Sequence, residues 1–317
     1  MREDKPVNRM HHGMNANPHR GFTLVELMVA MTIGLLIGLV VFAAYSSGLN
    51  TQRAQTDLTR LEESARFGFD LVSRAVRRAG FRNVLTVYPA AYVGQTAKQF
   101  CASGPVGSAF SATNDAATVD LGGGVTANVL NNSDTITVRY YGQDNAAHTA
   151  ADGVVLDCLG NAVRRGTLVQ DTIYVAADPT NDNEPTLFCS TDNPAIPVGA
   201  PRNLALVPGV ETLQMLYAED RDDDTVANRY VPANKIGNPG RDGNFDDVRG
   251  VLVSLIVRTK NATGTDRSAR TLRHFSDDYS PSAMEDTAGG DFTTPTDGTT
   301  RIHFANYAAA RNFPVCK

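Results

Sequence analysis

The sequence predicts an α+β protein in which one long N-terminal α-helix packs on a β-rich globular head. Three observations predict this class. An apolar run lies at residues 22–45, an amphipathic stretch with helical spacing follows it, and the later chain alternates turn residues with short strand-like segments. The chain has 317 residues and a formal net charge of −5. An acidic body argues against general nucleic-acid binding, which needs clustered basic side chains.

The apolar run FTLVELMVAMTIGLLIGLVVFAAY at residues 22–45 contains a single charged residue, Glu26. About 20 apolar residues in a helix span a bilayer core, so we predict a transmembrane helix over this range. Arg20, which precedes the run, is expected to stay in the cytoplasm. A cleaved secretory signal peptide is disfavoured because the run is too long and Gly21 precedes it rather than following it. A plain signal anchor explains the length of the run but not Glu26.

Glu26 is unusual because a carboxylate inside a membrane helix costs about 2.5–3.5 kcal/mol on insertion scales. Such a residue normally has a partner or a function. A cut between Gly21 and Phe22 would create an α-amino group about one helical turn from Glu26. These opposite charges would pair within one chain or between neighbouring subunits.

The heptapeptide RGFTLVE at residues 20–26 resembles the class III signal of type IV prepilins. The resemblance implies a leader over 1–21, prepilin peptidase as a partner and Gly21 as the cleavage residue. It also implies that Phe22 becomes the methylated N-terminus and that Glu26 is the filament-docking carboxylate. A 21-residue leader is longer than most of this type, and Met10 and Met14 offer later starts.

Residues 46–80 predict an amphipathic continuation of the helix into the head. Gly80 is a plausible stop signal, since glycine often follows the last helical residue. The apolar positions recur at steps of three and four, the spacing of one helical face: Leu58, Leu61, Ala65, Phe69, Val72, Val76 and Ala79.

The head, residues 81–317, is rich in Gly, Asn, Asp, Thr and Pro between strand-like runs. The run at 251–257 is apolar on both faces and suits a central strand. Residues 277–300 are expected to form a long flexible loop. The six predicted strand segments are 134–141, 172–176, 186–189, 211–217, 251–257 and 301–305.

Phrases in the helix and the head resemble the PilW-type minor pilins. This resemblance implies a pilin-like fold and a minor pilin near the filament tip that helps to start pilus assembly, and hence motility and adhesion. The implied partners are other minor pilins, the major pilin, a tip adhesin and, before assembly, the inner membrane, with the head in the periplasm. The phrases are EESARF (62–67), RAVRRAGF (74–81), SDTITVRY (133–140), DCLG (157–160), LFC (187–189), VETLQMLY (210–217) and ARN (310–312).

Two other functions stay open. A type II secretion pseudopilin shares the same kind of N-terminus, although the length and the head phrases favour a pilus. A pilin stalk that carries an adhesive or calcium-dependent ligand-binding module is the alternative from another class.

The four cysteines allow three pairings, and their even number without metal-ligand spacing favours disulfides in an exported domain. Cys158 and Cys189 lie at the edges of neighbouring strand-like runs, which favours a bridge between them. Cys101 and Cys316 would then form the second bridge by elimination.

Asp220, Asp222 and Asp224 have the alternate spacing that opens a calcium loop. Thr225 and Val231 stand where an EF-hand needs Gly and Glu, which excludes an EF-hand. A calcium site of another type and a solvated acidic turn both remain open, and we favour the turn.

No motif indicates catalysis, and no cofactor is predicted. The segment Gly122–Gly124 lacks the Lys and Ser/Thr of a phosphate-binding loop. His148, His274 and His303 are isolated in sequence, and we interpret each as a surface or core histidine.

Overall fold

The computed structural model describes residues 21–81, 108–222, 224–236, 245–262, 267–286 and 288–312. The chain divides into two compact units, Met1–Arg53 and Ala54–Lys317. One helix, α1 (Leu24–Arg78), contributes its first part to one unit and its second part to the other. The predicted α+β class is confirmed, because this long helix precedes a β-rich head.

In the first unit, the apolar side chains of α1 are exposed along the whole predicted span. Phe22 is 90% exposed and Leu36 is 62% exposed. The helix is long and apolar enough to cross a membrane. An apolar surface of this extent is not stable in water, so it calls for lipid or for other protein surfaces around it.

In the second unit, the later part of α1 packs on the head through the predicted stripe. Leu61, Ala65 and Val72 are buried, as predicted, but Leu58 is 44% exposed, and its assignment to the stripe was wrong. Gly68 of the helix lies close to the second sheet. A Cβ there would lie 3.2 Å from Cδ1 of Leu255, so a larger residue would require that side chain to shift slightly.

Gly80 follows the end of α1 with a φ of 72°, a left-handed conformation that favours glycine. Its N–H donates to the carbonyl of Arg139 at 2.8 Å, which ties the end of the helix to a strand. A Cβ at this position would lie 2.5 Å from the carbonyl oxygen of Asn312. The predicted stop signal is confirmed.

The head contains two antiparallel sheets. The first has the strand order β1 (Phe110–Thr113), β4 (Thr135–Tyr141), β5 (Leu168–Asp178), β6 (Glu184–Thr191) and β7 (Asn203–Pro208). The second has the order β13 (Thr299–Ala309), β10 (Val248–Ala262), β8 (Val210–Glu219) and β9 (Arg229–Val231).

Shorter elements complete the described head. Two small hairpin-like pairs join β2 (Thr118–Asp120) to β3 (Thr126–Asn128) and β11 (Thr271–Arg273) to β12 (Asp291–Thr293). A one-turn helix, α2, spans Pro281–Met284, and two 3-10 helices span Ala233–Lys235 and Phe245–Asp247.

All six predicted strand segments correspond to strands, although Asp134 lies one residue before β4 begins. The run at 251–257 is central, since Val253 pairs with Met215 of β8 on one side and with Asn306 of β13 on the other. The long flexible loop expected at 277–300 was wrong, because α2, β12 and the start of β13 lie within it.

The two faces of the second sheet pack against different parts of the head. Leu213 and Met215 of β8 join the main core, which also holds the buried stripe of α1 and the inner face of the first sheet. Side chains alternate along a strand, so Thr212 and Gln214 point to the opposite face. There they contact His274 and Asn132, respectively. The described residues of 267–298, which we call the β10–β13 excursion, contribute His274 to this outer face.

Candidate functional site

The start of α1 is closed by a capping box between Thr23 and Glu26. Oε2 of Glu26 accepts a hydrogen bond from the Thr23 backbone N–H at 3.0 Å and another from its hydroxyl at 3.1 Å. In return, Oγ1 of Thr23 accepts from the Glu26 N–H at 3.2 Å. This reciprocal pattern satisfies N–H groups that have no partner within the helix. The sequence analysis missed the role of Thr23, although the Thr-x-x-Glu spacing was visible.

The predicted cleavage bond lies immediately before this cap. Gly21 and Phe22 are exposed and precede the first helical residue, Leu24. A Cβ on Gly21 would meet nothing within 4 Å. The bond is therefore accessible, whereas the roles of Gly21, Phe22 and Glu26 in processing and docking stay predictions.

A buried ion pair ties the last turn of α1 to the first sheet. Nη2 of Arg78 lies 2.5 Å from Oδ2 of Asp171, whose side chain is fully buried. The Tyr140 hydroxyl donates to the same carboxylate oxygen at 2.8 Å, and the guanidinium lies 4.4 Å from the centre of the Tyr140 ring. The helix that precedes the head is thus held at its end by charge as well as by apolar packing.

A disulfide joins Cys158 to Cys189, as predicted, with a Cα–Cα distance of 6.4 Å. The reason given for it needs correction. Cys189 lies in β6, but Cys158 lies in the connection between β4 and β5 and not in a strand. The bridge fastens that long connection to the sheet. Cys101 and Cys316 lie outside the described residues, so the second predicted bridge stays a prediction.

The acidic segment at Asp220 brings three carboxylates together. Asp220, Asp222 and Asp224 each place an oxygen within 4.8 Å of the others. Asp220 is buried, and its Oδ2 accepts from Nε of Arg249 and from the Thr225 N–H, each at 2.9 Å. Asp222 and Asp224 are exposed. Since Arg249 already compensates the buried charge, the geometry favours the acidic turn over the calcium site.

Two histidines that look isolated in sequence meet in the structure. Oγ of Ser254 lies 2.8 Å from Nδ1 of His274 and 2.8 Å from Nε2 of His303, and Nε2 of His274 lies 2.7 Å from the Thr212 hydroxyl. Burial lowers the pKa of His274 to about 3, so its ring is neutral. Ser254 and His274 are fully buried, which keeps substrates away from this serine. The cluster is a satisfied polar network under the β10–β13 excursion.

Two family models match parts of the chain. Residues 172–312 match the family model described as Type IV Pilus-assembly protein W. Residues 16–42 match the model described as the prokaryotic N-terminal methylation motif. Among solved structures, a type IV-like pilin from Thermus thermophilus is similar with 12% identity and a TM-score of 0.40, covering 80% of this chain and 98% of that one. No curated protein matches the chain by sequence.

Proposed function

The chain is a type IV pilin-like protein with a PilW-type domain, and from this premise we propose that it acts as a minor pilin in the initiation and assembly of a type IV pilus. Prepilin peptidase cuts it between Gly21 and Phe22. The chain waits in the inner membrane with its head in the periplasm and then enters the pilus near the tip. Its partners there are other minor pilins, the major pilin and a tip adhesin. Motility and adhesion depend on it through the pilus.

One observation carries the proposal: an exposed apolar helix begins with a capped acidic residue directly after an accessible Gly-Phe bond. A plain anchor needs the apolar helix but has no need of Glu26. Because Glu26 lies four residues after Phe22, cleavage before Phe22 would create a terminus about one helical turn from its carboxylate. That placement suits subunit docking.

The first experiment measures intact mass and N-terminal sequence of the protein from cells with and without prepilin peptidase. We expect a peptidase-dependent chain that begins at a methylated Phe22. An uncut chain, or a cut at another bond, would reduce α1 to an ordinary anchor and defeat the proposal.

A matched pair of variants separates processing from assembly. Glu26→Gln keeps the size of the side chain but removes its charge, so we expect normal processing and loss from sheared pili. Glu62→Gln, an exposed position on the same helix, should be processed and assembled normally. Equal incorporation of both variants would exclude docking through Glu26.

A deletion strain distinguishes a pilus from a secretion machine. Loss of surface pili and twitching with intact protein secretion supports the minor pilin. Loss of secretion with intact pili would instead assign the chain to a type II secretion system as a pseudopilin.

A further inference from the structure

A cluster of buried carboxylate and carboxamide groups, each with one oxygen that lacks a hydrogen-bond partner, lies where the β10–β13 excursion covers the second sheet. Seven buried side-chain polar atoms lack a partner among the described residues, and four of them are oxygens at this one place. The four are Oδ1 of Asn114, Oδ1 of Asp115, Oε1 of Gln214 and Oδ1 of Asp286. Buried polar atoms are nearly always satisfied, so this concentration calls for an explanation.

Three separate segments bring these side chains together. Asn114 and Asp115 lie in the turn between β1 and β2, Gln214 lies on β8, and Asp286 lies in the turn after α2. Gln214 is fully buried, and Asp286 is 1% exposed. The side chain of Asn114 faces Asp286, and the backbone N–H groups of Ala288 and Gly289 face the Asp115 carboxylate.

Gly289 shows how closely the cluster is packed. A Cβ on this residue would lie 1.9 Å from Nε2 of Gln214 and 2.4 Å from Oδ1 of Asp115. Nε2 of Gln214 and Oδ1 of Asp115 are therefore immediate neighbours on one side of Gly289. The Tyr279 hydroxyl donates to Oδ2 of Asp286 at 2.5 Å. The other oxygen of Asp286, Oδ1, has no hydrogen-bond partner among the described residues.

Among the described residues, no basic side chain forms an ion pair with Asp115, Asp134 or Asp286, in contrast to Asp220, which pairs with Arg249. Asp134 lies beside the cluster, with both oxygens occupied by the N–H groups of Asp115 and Met215 at 3.0 and 2.7 Å. Buried carboxylates of this kind need protons or a cation.

We propose that Asn114, Asp115, Gln214 and Asp286 form a binding site for a hard divalent cation, Ca²⁺, which fastens the β10–β13 excursion to the sheet. The ligands are two carboxylate and two carboxamide oxygens, with no nitrogen or sulfur donor. Ca²⁺ takes six to eight oxygen ligands of these types in flexible geometry, and water fills the remaining positions. This site is independent of the acidic turn at Asp220 and does not rest on the proposed function.

The test uses the full-length chain in detergent at pH 7.5, with the unfolding temperature followed by circular dichroism. A ligand that binds the folded state at about 100 times its Kd should raise the Tm by about 5 °C or more. We expect this shift with Ca²⁺ and a smaller one with Mg²⁺, relative to EDTA. Asp115→Asn and Asp286→Asn should each abolish it. Asp222→Asn, which changes the exposed acidic turn, should keep it.

Terbium luminescence supplies a readout that does not depend on stability. The chain contains no tryptophan, and the Tyr279 ring is held at Asp286, so tyrosine excitation should sensitise Tb³⁺ bound in the cluster. We expect the signal to fall on addition of Ca²⁺ and to be lost in Tyr279→Phe and in Asp286→Asn. A Ca²⁺ shift that survives both carboxylate variants, or that disappears in Asp222→Asn, would overturn the proposal. So would the absence of both a shift and a Tb³⁺ signal in the unmodified chain, since protons would then occupy the cluster.

Discussion

We expect Arg78→Met to lower the free energy of unfolding of the head by about 3–5 kcal/mol, the typical cost of removing one partner from a buried ion pair. The guanidinium lies 2.5 Å from a fully buried oxygen of Asp171. Methionine keeps an unbranched apolar stem over the Tyr140 ring, so the variant mainly removes charge. The Tyr140 hydroxyl still donates to the carboxylate at 2.8 Å but brings no compensating charge. For a head of this size, the Tm should fall by about 6–20 °C.

The loss should depend on pH. Burial raises the pKa of Asp171 to about 6, above its ordinary value of 3.8. The folded state therefore holds this proton more tightly than the unfolded state, and Asp171 lowers stability as the pH rises from about 4 through 6. Without Arg78 the pKa of Asp171 rises further. At about pH 4 the carboxyl group is neutral in both folded chains, so up to about 2 kcal/mol of the destabilisation, about 1.4 kcal/mol for each pH unit between 6 and 7.5, should disappear.

Urea unfolding of the full-length chain in detergent, followed by circular dichroism at pH 7.5 and about pH 4, measures both effects. Arg74→Met is the matched control. Arg74 lies 2.6 Å from Asp70 on the same helix, but the two side chains are 73% and 46% exposed, so its loss should cost less than about 1 kcal/mol. The reasoning is refuted if the two variants are equally destabilised at pH 7.5, or if the Arg78→Met loss is unchanged at low pH.

Three further predictions concern other parts of the head. Replacing both Cys158 and Cys189 by serine should lower the free energy of unfolding by about 2–4 kcal/mol, and equal urea midpoints with and without the bridge would contradict this. Because the pKa of His274 is lowered to about 3 from 6.5, stability should decline as the pH falls below 6.5, by up to about 1.4 kcal/mol per pH unit. Stability curves of His274→Gln should lack that slope, and a parallel decline in both chains would exclude His274 as its source. Gly80→Ala should cost at least about 1–2 kcal/mol, because φ is 72° and the new Cβ would press against the Asn312 carbonyl; an unchanged Tm would show that the helix end relaxes freely.

The helix and the strands of the head were predictable because local patterns report them. Period-two alternation at Ile136 and Val138 and the doubly apolar run around Val253 each correspond to observed strands. The helical stripe was wrong only at its first residue, because the spacing of apolar residues does not show how far the head extends along the helix. Leu58 has the right spacing, but the head does not bury it.

The polar clusters were not predictable, because they depend on strand register and on contacts between residues that are far apart in the sequence. Ser254 meets His303 only because β10 and β13 pair in one register, and His274 arrives from the excursion between them. Asp115 and Asp286 are brought together from opposite ends of the head. Sequence spacing pointed instead to the carboxylates near Asp220, where a basic residue on a neighbouring strand already balances the charge.

The capping box at the start of α1 has a consequence for the timing of assembly. Within its own chain the Glu26 carboxylate already accepts hydrogen bonds from the N–H and the hydroxyl of Thr23. A cap of this kind stabilises a helix by roughly 0.5–2 kcal/mol. In the proposed docking step, a neighbouring subunit would therefore have to offer Glu26 a stronger partner than Thr23, such as a full positive charge. Thr23 would then keep the carboxylate hydrogen-bonded until that partner arrives.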